Sequence, residues 1–216
     1  MNLKNFGFYE GGIFESILST YNLDGTPNAA PMGVSLEKDH IIVRPFKRTR
    51  TFKNLKNFKC CVINFLDQVE FFYYTVYKDK ALPENWFERA KRVNAPKLTM
   101  ANLWIETEVK DMEDITEDRA KFLLDIKDID FKWLKPKVYQ RSHHALMESI
   151  IHSTRVKVYL KKKDYDKVKE LINLINHYHL LIKKVSPNTE YERIMEDILK
   201  KIKGWIKIYN YPFTQP

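Results

Sequence analysis

The sequence predicts an α+β protein: about six antiparallel strands over residues 1–136, then three helices over residues 137–216. Two observations carry this. Up to residue 133, strand-forming segments with period-two alternation lie between turn-forming clusters. After Pro136, apolar residues recur instead at spacings of three and four. Six antiparallel strands favour a closed or nearly closed barrel, because closure removes exposed edges.

The strands follow in order. Ile13–Tyr21 alternates and is rich in strand formers, and Asp24-Gly25 supplies the turn to Asn28–Leu36. Glu37-Lys38-Asp39 turns again into His40–Phe46, which makes a meander. Lys47–Asn57 is polar and basic, a loop running into a short helix capped by Thr49 or Thr51. Lys59–Phe65 is a buried strand. Gln68–Tyr77 is aromatic and fits helix or strand, and Trp86–Ala101 reads as irregular or helical. Leu103–Asp111 alternates, with Leu103, Ile105, Thr107 and Val109 on one face and Glu106 and Glu108 on a solvated one. Lys121–Trp133 alternates too, but its apolar phase slips by one residue between Ile126 and Ile129, as a β-bulge would produce.

Three amphipathic stripes make the second part. The first includes Tyr139, His143, Leu146, Ile150 and Val158. Asp164 caps the second, with Val168, Leu171 and Ile175 on its stripe. Ser186-Pro187 is expected to open the third, with Ser at the cap and Pro at the first helical position.

Composition narrows the function classes. Hydrophobic residues are 44% and charged residues 30%, ordinary for a globular chain. The adjacent Cys60 and Cys61 lie in an apolar run and act as small hydrophobes rather than as a disulfide. No apolar run approaches a membrane span, and Met1–Phe14 does not read as a signal peptide, so a cytoplasmic protein is expected. The net charge of +9 is uneven: residues 1–136 carry +1 and residues 137–216 carry +8. The basic helices raise nucleic-acid binding as a minor reading, against a solvated lysine-rich surface; no nucleic-acid motif accompanies them.

Two segments could carry chemistry. Arg48-Thr49-Arg50-Thr51-Phe52-Lys53-Asn54 places three cations, two hydroxyls and an amide at a helix start. Unpaired N–H groups and the helix dipole favour an anion there, and Arg and Thr donors suit phosphate oxygens. The same residues also make an ordinary basic turn with threonine caps. Asn28–Ser35 is a strand of small residues with Pro31 and Gly33 inside it. Pro31 removes a ladder donor, so the strand is expected to be bulged or partly unpaired there. Free backbone beside Met32 and Gly33 could then bond a planar heterocycle; a plain edge strand fits as well. His143, His144, His152, His177 and His179 have no Cys or carboxylate at ligand spacing and read as surface or interface residues, with no metal site. Arg141 and Arg155 share one helix face about 21 Å apart. No P-loop, nucleophile elbow or dinucleotide glycine turn is present, and no catalytic residue is assigned.

The run from Glu15 to Val34, ESILSTYNLDGTPNAAPMGV, resembles the signature of an uncharacterised, largely archaeal family with an FMN-binding split barrel, distantly related to flavin reductases. Thr49–Leu55 followed by Val62-Ile63-Asn64 matches the same pattern, and Tyr139–Arg155 resembles the helix that opens the family's C-terminal domain. The resemblance covers most of residues 10–66 and 139–205. It departs at Gln140-Arg141-Ser142, where the family usually has Asn-Arg-Ala; Arg141 is retained. It implies FMN as cofactor, with a phosphate contact from Arg48, Thr49 and Thr51 and from Lys53 or Asn54. It also implies backbone contacts to the isoalloxazine from Met32, Gly33, Val34 and Ser35, and adds Asn64 and Arg141 as cofactor-binding residues. It further implies a homodimer with the flavin site between subunits. The function expected is a flavin-dependent oxidoreductase or flavin-reductase-like protein using a nicotinamide or other small-molecule reductant. A non-catalytic FMN sensor, or another phosphorylated cofactor such as F420, stays open.

Overall fold

The computed structural model describes residues 3–79, 81–133 and 141–212. The chain forms two compact units: Met1–Gln68 with Tyr74–Lys135, and Val69–Tyr73 with Pro136–Pro216. The expected boundary near residue 137, Tyr139 and Gln140 lie outside the described residues.

The first unit is a closed barrel. Its strands are β1 (Phe14–Tyr21), β2 (Pro27–Glu37), β3 (His40–Val43), β4 (Cys60–Phe65), β7 (Leu103–Asp114) and β8 (Ala120–Phe131). They close in the order β1-β2-β3-β8-β7-β4, and every pairing is antiparallel. Gly25 takes the left-handed φ of +81° that the β1–β2 turn requires. The phase slip in β8 is a bulge. Glu106 pairs with Asp128 and Thr107 with Ile126, which leaves Lys127 as the extra residue. Alternation fills the interior with Leu18, Val34, Ile63, Ile105, Phe122 and Leu124, and Leu55 joins them from the helix α1 (Arg50–Phe58). Cys61 is fully buried beside Thr107, with its Sγ 3.1 Å from Oγ1, and burial pushes its thiol up to about 12.

One ambiguity resolves and two expectations change. The aromatic segment, which fitted helix or strand, is a helix, α2 (Val69–Tyr77). The segment from Trp86 to Ala101 is not helical: it contains a short hairpin, β5 (Phe87–Arg89) with β6 (Pro96–Leu98). The hairpin loop explains the second change. Glu106, expected on a solvated face, is 1% exposed, and its carboxylate accepts from the N–H groups of Lys91, Arg92 and Val93 at 2.9, 2.6 and 3.2 Å. The outer face of β7 is covered there by chain that needs an acceptor. Glu108 does face solvent and pairs with Lys127 at 3.0 Å.

The second unit contains α3 (Arg141–Lys162), α4 (Tyr165–Val185) and α5 (Glu190–Ile208). Leu146, Ile150 and Val156 of α3, Val168 and Ile175 of α4, and Ile194 and Ile198 of α5 are buried. Val158, expected on the buried stripe, is exposed, and Val156 and Leu160 are buried in its stead. Asp164 caps α4 as expected, accepting from Lys167 N at 3.4 Å. Ser186 does not cap α5. Its hydroxyl is buried and donates to Ser142 Oγ at 2.7 Å, Asn188 turns through a φ of +61°, and the helix starts after Thr189. Within the same unit, the Tyr73 hydroxyl donates to Asp197.

Candidate functional site

The barrel positions one helix start against one half-open strand. Thr49 is the N-cap of α1: its Oγ accepts from Phe52 N at 3.3 Å and donates to Phe46 O at 2.7 Å. Lys53 N reaches Thr49 O. The N–H groups of Arg50 and Thr51, at the first two helical positions, have no partner within the helix. On β2, pairing with β1 runs unbroken from Pro27 to Val34, whereas pairing with β3 begins only at Val34. The strand is therefore not bulged at Pro31; its first half simply has a neighbour on one side only. Proline tolerates that position because no donor is required on the open side.

A cleft of about 700 Å³ lies between these features, within the range of ligand sites. Arg50 and Thr51 of α1, Asn28 and Pro31 of β2, and Thr75 and Lys78 at the end of α2 line it. Thr51 is 2% exposed, and its hydroxyl has no hydrogen-bond partner among the described residues. The hydroxyl opens on the cleft, where it is free to bond a ligand oxygen. Arg50 likewise makes no ion pair or hydrogen bond among the described residues. Lys78 Nζ donates to a neutral acceptor, Asn28 Oδ1, at 2.7 Å. Burial first, and the Arg50 charge second, lower the Lys78 ammonium from its ordinary value to about 8. The only carboxylate among the described lining residues, Glu84, is exposed. Two cations, an unfilled hydroxyl and two free N–H groups thus converge without an internal anion.

Of the residues expected to bind a cofactor, Thr49 and Thr51 line this cleft. Thr49 spends its hydroxyl on the cap, so it shapes the site rather than donating into it. Arg48 does not line it; its guanidinium lies 5.0 Å from the ring centre of Phe46, and Arg50 takes the expected place. Lys53 is exposed two residues beyond Thr51, which on a helix is the far side. Asn54 is buried, donating to Thr20 Oγ1 at 2.9 Å and Asn22 Oδ1 at 3.0 Å, which ties α1 to β1 and its turn. Asn64 is fully buried and structural: it donates to Ile17 O at 2.8 Å and accepts from Leu98 N at 2.8 Å, fastening the β5–β6 hairpin to the barrel. Gly33 has β1 on one side and no strand on the other, and its backbone groups face the open side; those of Met32 face β1, and Met32 O also accepts from Ser16 Oγ at 2.7 Å. Val34 is flanked on both sides and packs into the core, and the Ser35 hydroxyl accepts from Arg44 Nη1 at 3.0 Å. Arg141 is the exposed first residue of α3 in the helical unit. Lys78 was missed. It reaches Asn28 across fifty residues of sequence, and no local pattern marks it.

Fold and site together define a six-stranded barrel protein with a cleft lined by a helix start and two cations. The chain belongs to the DUF447 family, described as proteins of unknown function: its N-terminal domain model matches residues 14–132 and its C-terminal model residues 140–201. The chain is similar to an FMN-bound DUF447 protein of Methanosarcina mazei, with a TM-score of 0.75 and 26% identity over 92% of this chain and 99% of that one. Weaker likenesses include the flavoredoxin of Methanosarcina acetivorans (TM-score 0.49, 17% identity, 57% of this chain and 74% of that one). Another is the 2-nitrobenzoate 2-nitroreductase of Pseudomonas fluorescens (TM-score 0.47, 16% identity, 61% and 73%). No curated protein matches the sequence. The expected fold, a six-stranded antiparallel barrel followed by three helices, is the one observed. No helix among the described residues is long and apolar enough to cross a membrane. Among them, too, no cluster of three His, Cys, Asp or Glu side chains could hold a metal ion.

Proposed function

We propose that this chain is an FMN-binding flavoprotein of the flavin-reductase-like kind, with the flavin phosphate seated at the start of α1. The observation that carries the reading is Thr51, whose hydroxyl has no partner among the described residues and opens on a cleft that also presents Arg50 and helical N–H groups. The donor set fits a phosphate monoester. Arg offers paired donors, the hydroxyl a third, and the helix start two more along its dipole. The FMN held by the Methanosarcina mazei relative supports the choice of ligand.

When bound, FMN supplies the electron-transfer chemistry. The chain's own residues bind and orient. Arg50 and Thr51 fix the phosphate end, and the open backbone groups of Gly33 offer hydrogen bonds to a flat ring. Family resemblance supports the rest of the proposal, a homodimer with the flavin between subunits and a nicotinamide or other small-molecule reductant; the two adjacent cysteines in an apolar strand, both free thiols, support a cytoplasmic setting. An absorbance scan and mass spectrum of the purified chain test the ligand. FMN released on denaturation is the expected result; F420 or no chromophore contradicts it. Loss of bound FMN in Thr51→Val and Arg50→Gln places the phosphate.

A further inference from the structure

We propose that Lys78, presented by Asn28 into the cleft that Arg50 and Thr51 line, is the residue that makes this cleft select a phosphorylated flavin over the unphosphorylated one. The inference rests on the FMN reading and extends it to a residue of a different element. Lys78 follows the last turn of α2, and its own N–H caps that helix by donating to Tyr74 O at 3.2 Å. Its ammonium is half-buried, and among the described residues its one hydrogen-bond partner is an amide oxygen, so its other two donors are unfilled.

The acceptor is itself held in place. Asn28 is 3% exposed, and its amide donates to Thr20 Oγ1 at 3.5 Å; the same hydroxyl takes the bond from Asn54 Nδ2 on α1. One chain of polar contacts therefore runs from α1 through β1 and β2 to Lys78, and fixes the second cation relative to the helix start that carries the first.

The electrostatics run against a purely structural lysine. A half-buried ammonium beside a guanidinium, with a neutral acceptor and no carboxylate partner, is unfavourable in the ligand-free protein. Burial and the Arg50 charge draw its titration down to about 8, yet it stays mostly charged at neutral pH. A structural role would be served better by an acid at position 28 or by an uncharged side chain at 78. A dianion arriving between the two cations removes the penalty and converts it into affinity. A flavin without a phosphate gains nothing from it.

The test is a fluorescence titration of the full chain, freed of bound flavin, with FMN and with riboflavin, for wild type, Lys78→Met and Lys78→Arg. Wild type should prefer FMN. Lys78→Met should lose roughly 10- to 100-fold in FMN affinity, the size of a charge-assisted contact, and change riboflavin affinity by less than about threefold. Lys78→Arg should recover most of the FMN affinity. Riboflavin binding doubles as the check that each variant is folded. Equal losses for both ligands, or a Lys78→Met variant that keeps the wild-type preference for FMN, overturn the role of Lys78 alone. A wild type that binds neither flavin overturns the FMN reading, and Lys78's role with it.

Discussion

Lys78 Nζ donates to Asn28 Oδ1 at 2.7 Å, so a half-buried cation faces a neutral amide where a carboxylate of the same shape would fit. Asn28→Asp would pair the ammonium internally. It should stabilise the ligand-free chain and weaken FMN binding by roughly tenfold or more, because the cleft's excess positive charge falls by one. Thermal unfolding without ligand and a flavin titration measure the two effects; they should move in opposite directions.

The same lysine gives the site a pH profile. Its pKa is lowered in the folded chain, to about 8, so its charge is lost as pH rises through 8. A phosphate monoester takes its second charge near pH 6. FMN affinity should therefore be greatest between about pH 6 and 8 and fall above it. The other charges about the cleft are Arg50, the exposed Glu84, and Asp24, whose carboxyl is held below its usual range chiefly by Thr26 and, more weakly, by Arg50. The linkage for the ligand-free chain has the opposite sign. Between about 8 and the ordinary lysine value the unfolded chain binds the extra proton, so this group's contribution to stability rises with pH there. Flavin titrations from pH 6 to 10, with Lys78→Met flat above 8, check the first; unfolding of the ligand-free chain over the same range checks the second.

Asn64 separates a structural role from a cofactor role. Its amide meets Ile17 O, Ser19 Oγ and Leu98 N in a fully buried place away from the cleft lining. Asn64→Leu should cost about 2–4 kcal/mol by leaving buried groups unpaired. Below its transition, the folded variant should bind FMN like wild type, as denaturant melts and titration would show.

Glu106 is expected to matter for stability and not for chemistry. Removing its carboxylate strands the N–H groups of Lys91, Arg92 and Val93, a loss of about 3 kcal/mol. Glu106→Ala should lower the Tm by about 6–12 °C in a calorimetric scan.

Much of this architecture is written in local pattern. Alternation located the barrel strands, the slipped phase announced the bulge at Lys127, and the threonine before a basic run placed the start of α1. What escaped depends on residues distant in sequence. Alternation sends Glu106 outward, but a loop fifteen residues earlier covers that face. Ser186 has the chemistry of a cap, yet it is spent on Ser142 of another helix. The basic run could be read as a phosphate site, but which arginine enters the cleft depends on Phe46, whose ring holds Arg48 beside it. Lys78 belongs to the site only because α2 ends beside β2.

The most direct measurement is a crystal structure of the chain grown with excess FMN. The expected result is phosphate density within hydrogen-bonding distance of Thr51 Oγ and the Arg50 guanidinium. A cleft without flavin, or a flavin bound elsewhere with Thr51 still unpartnered, would contradict the assignment.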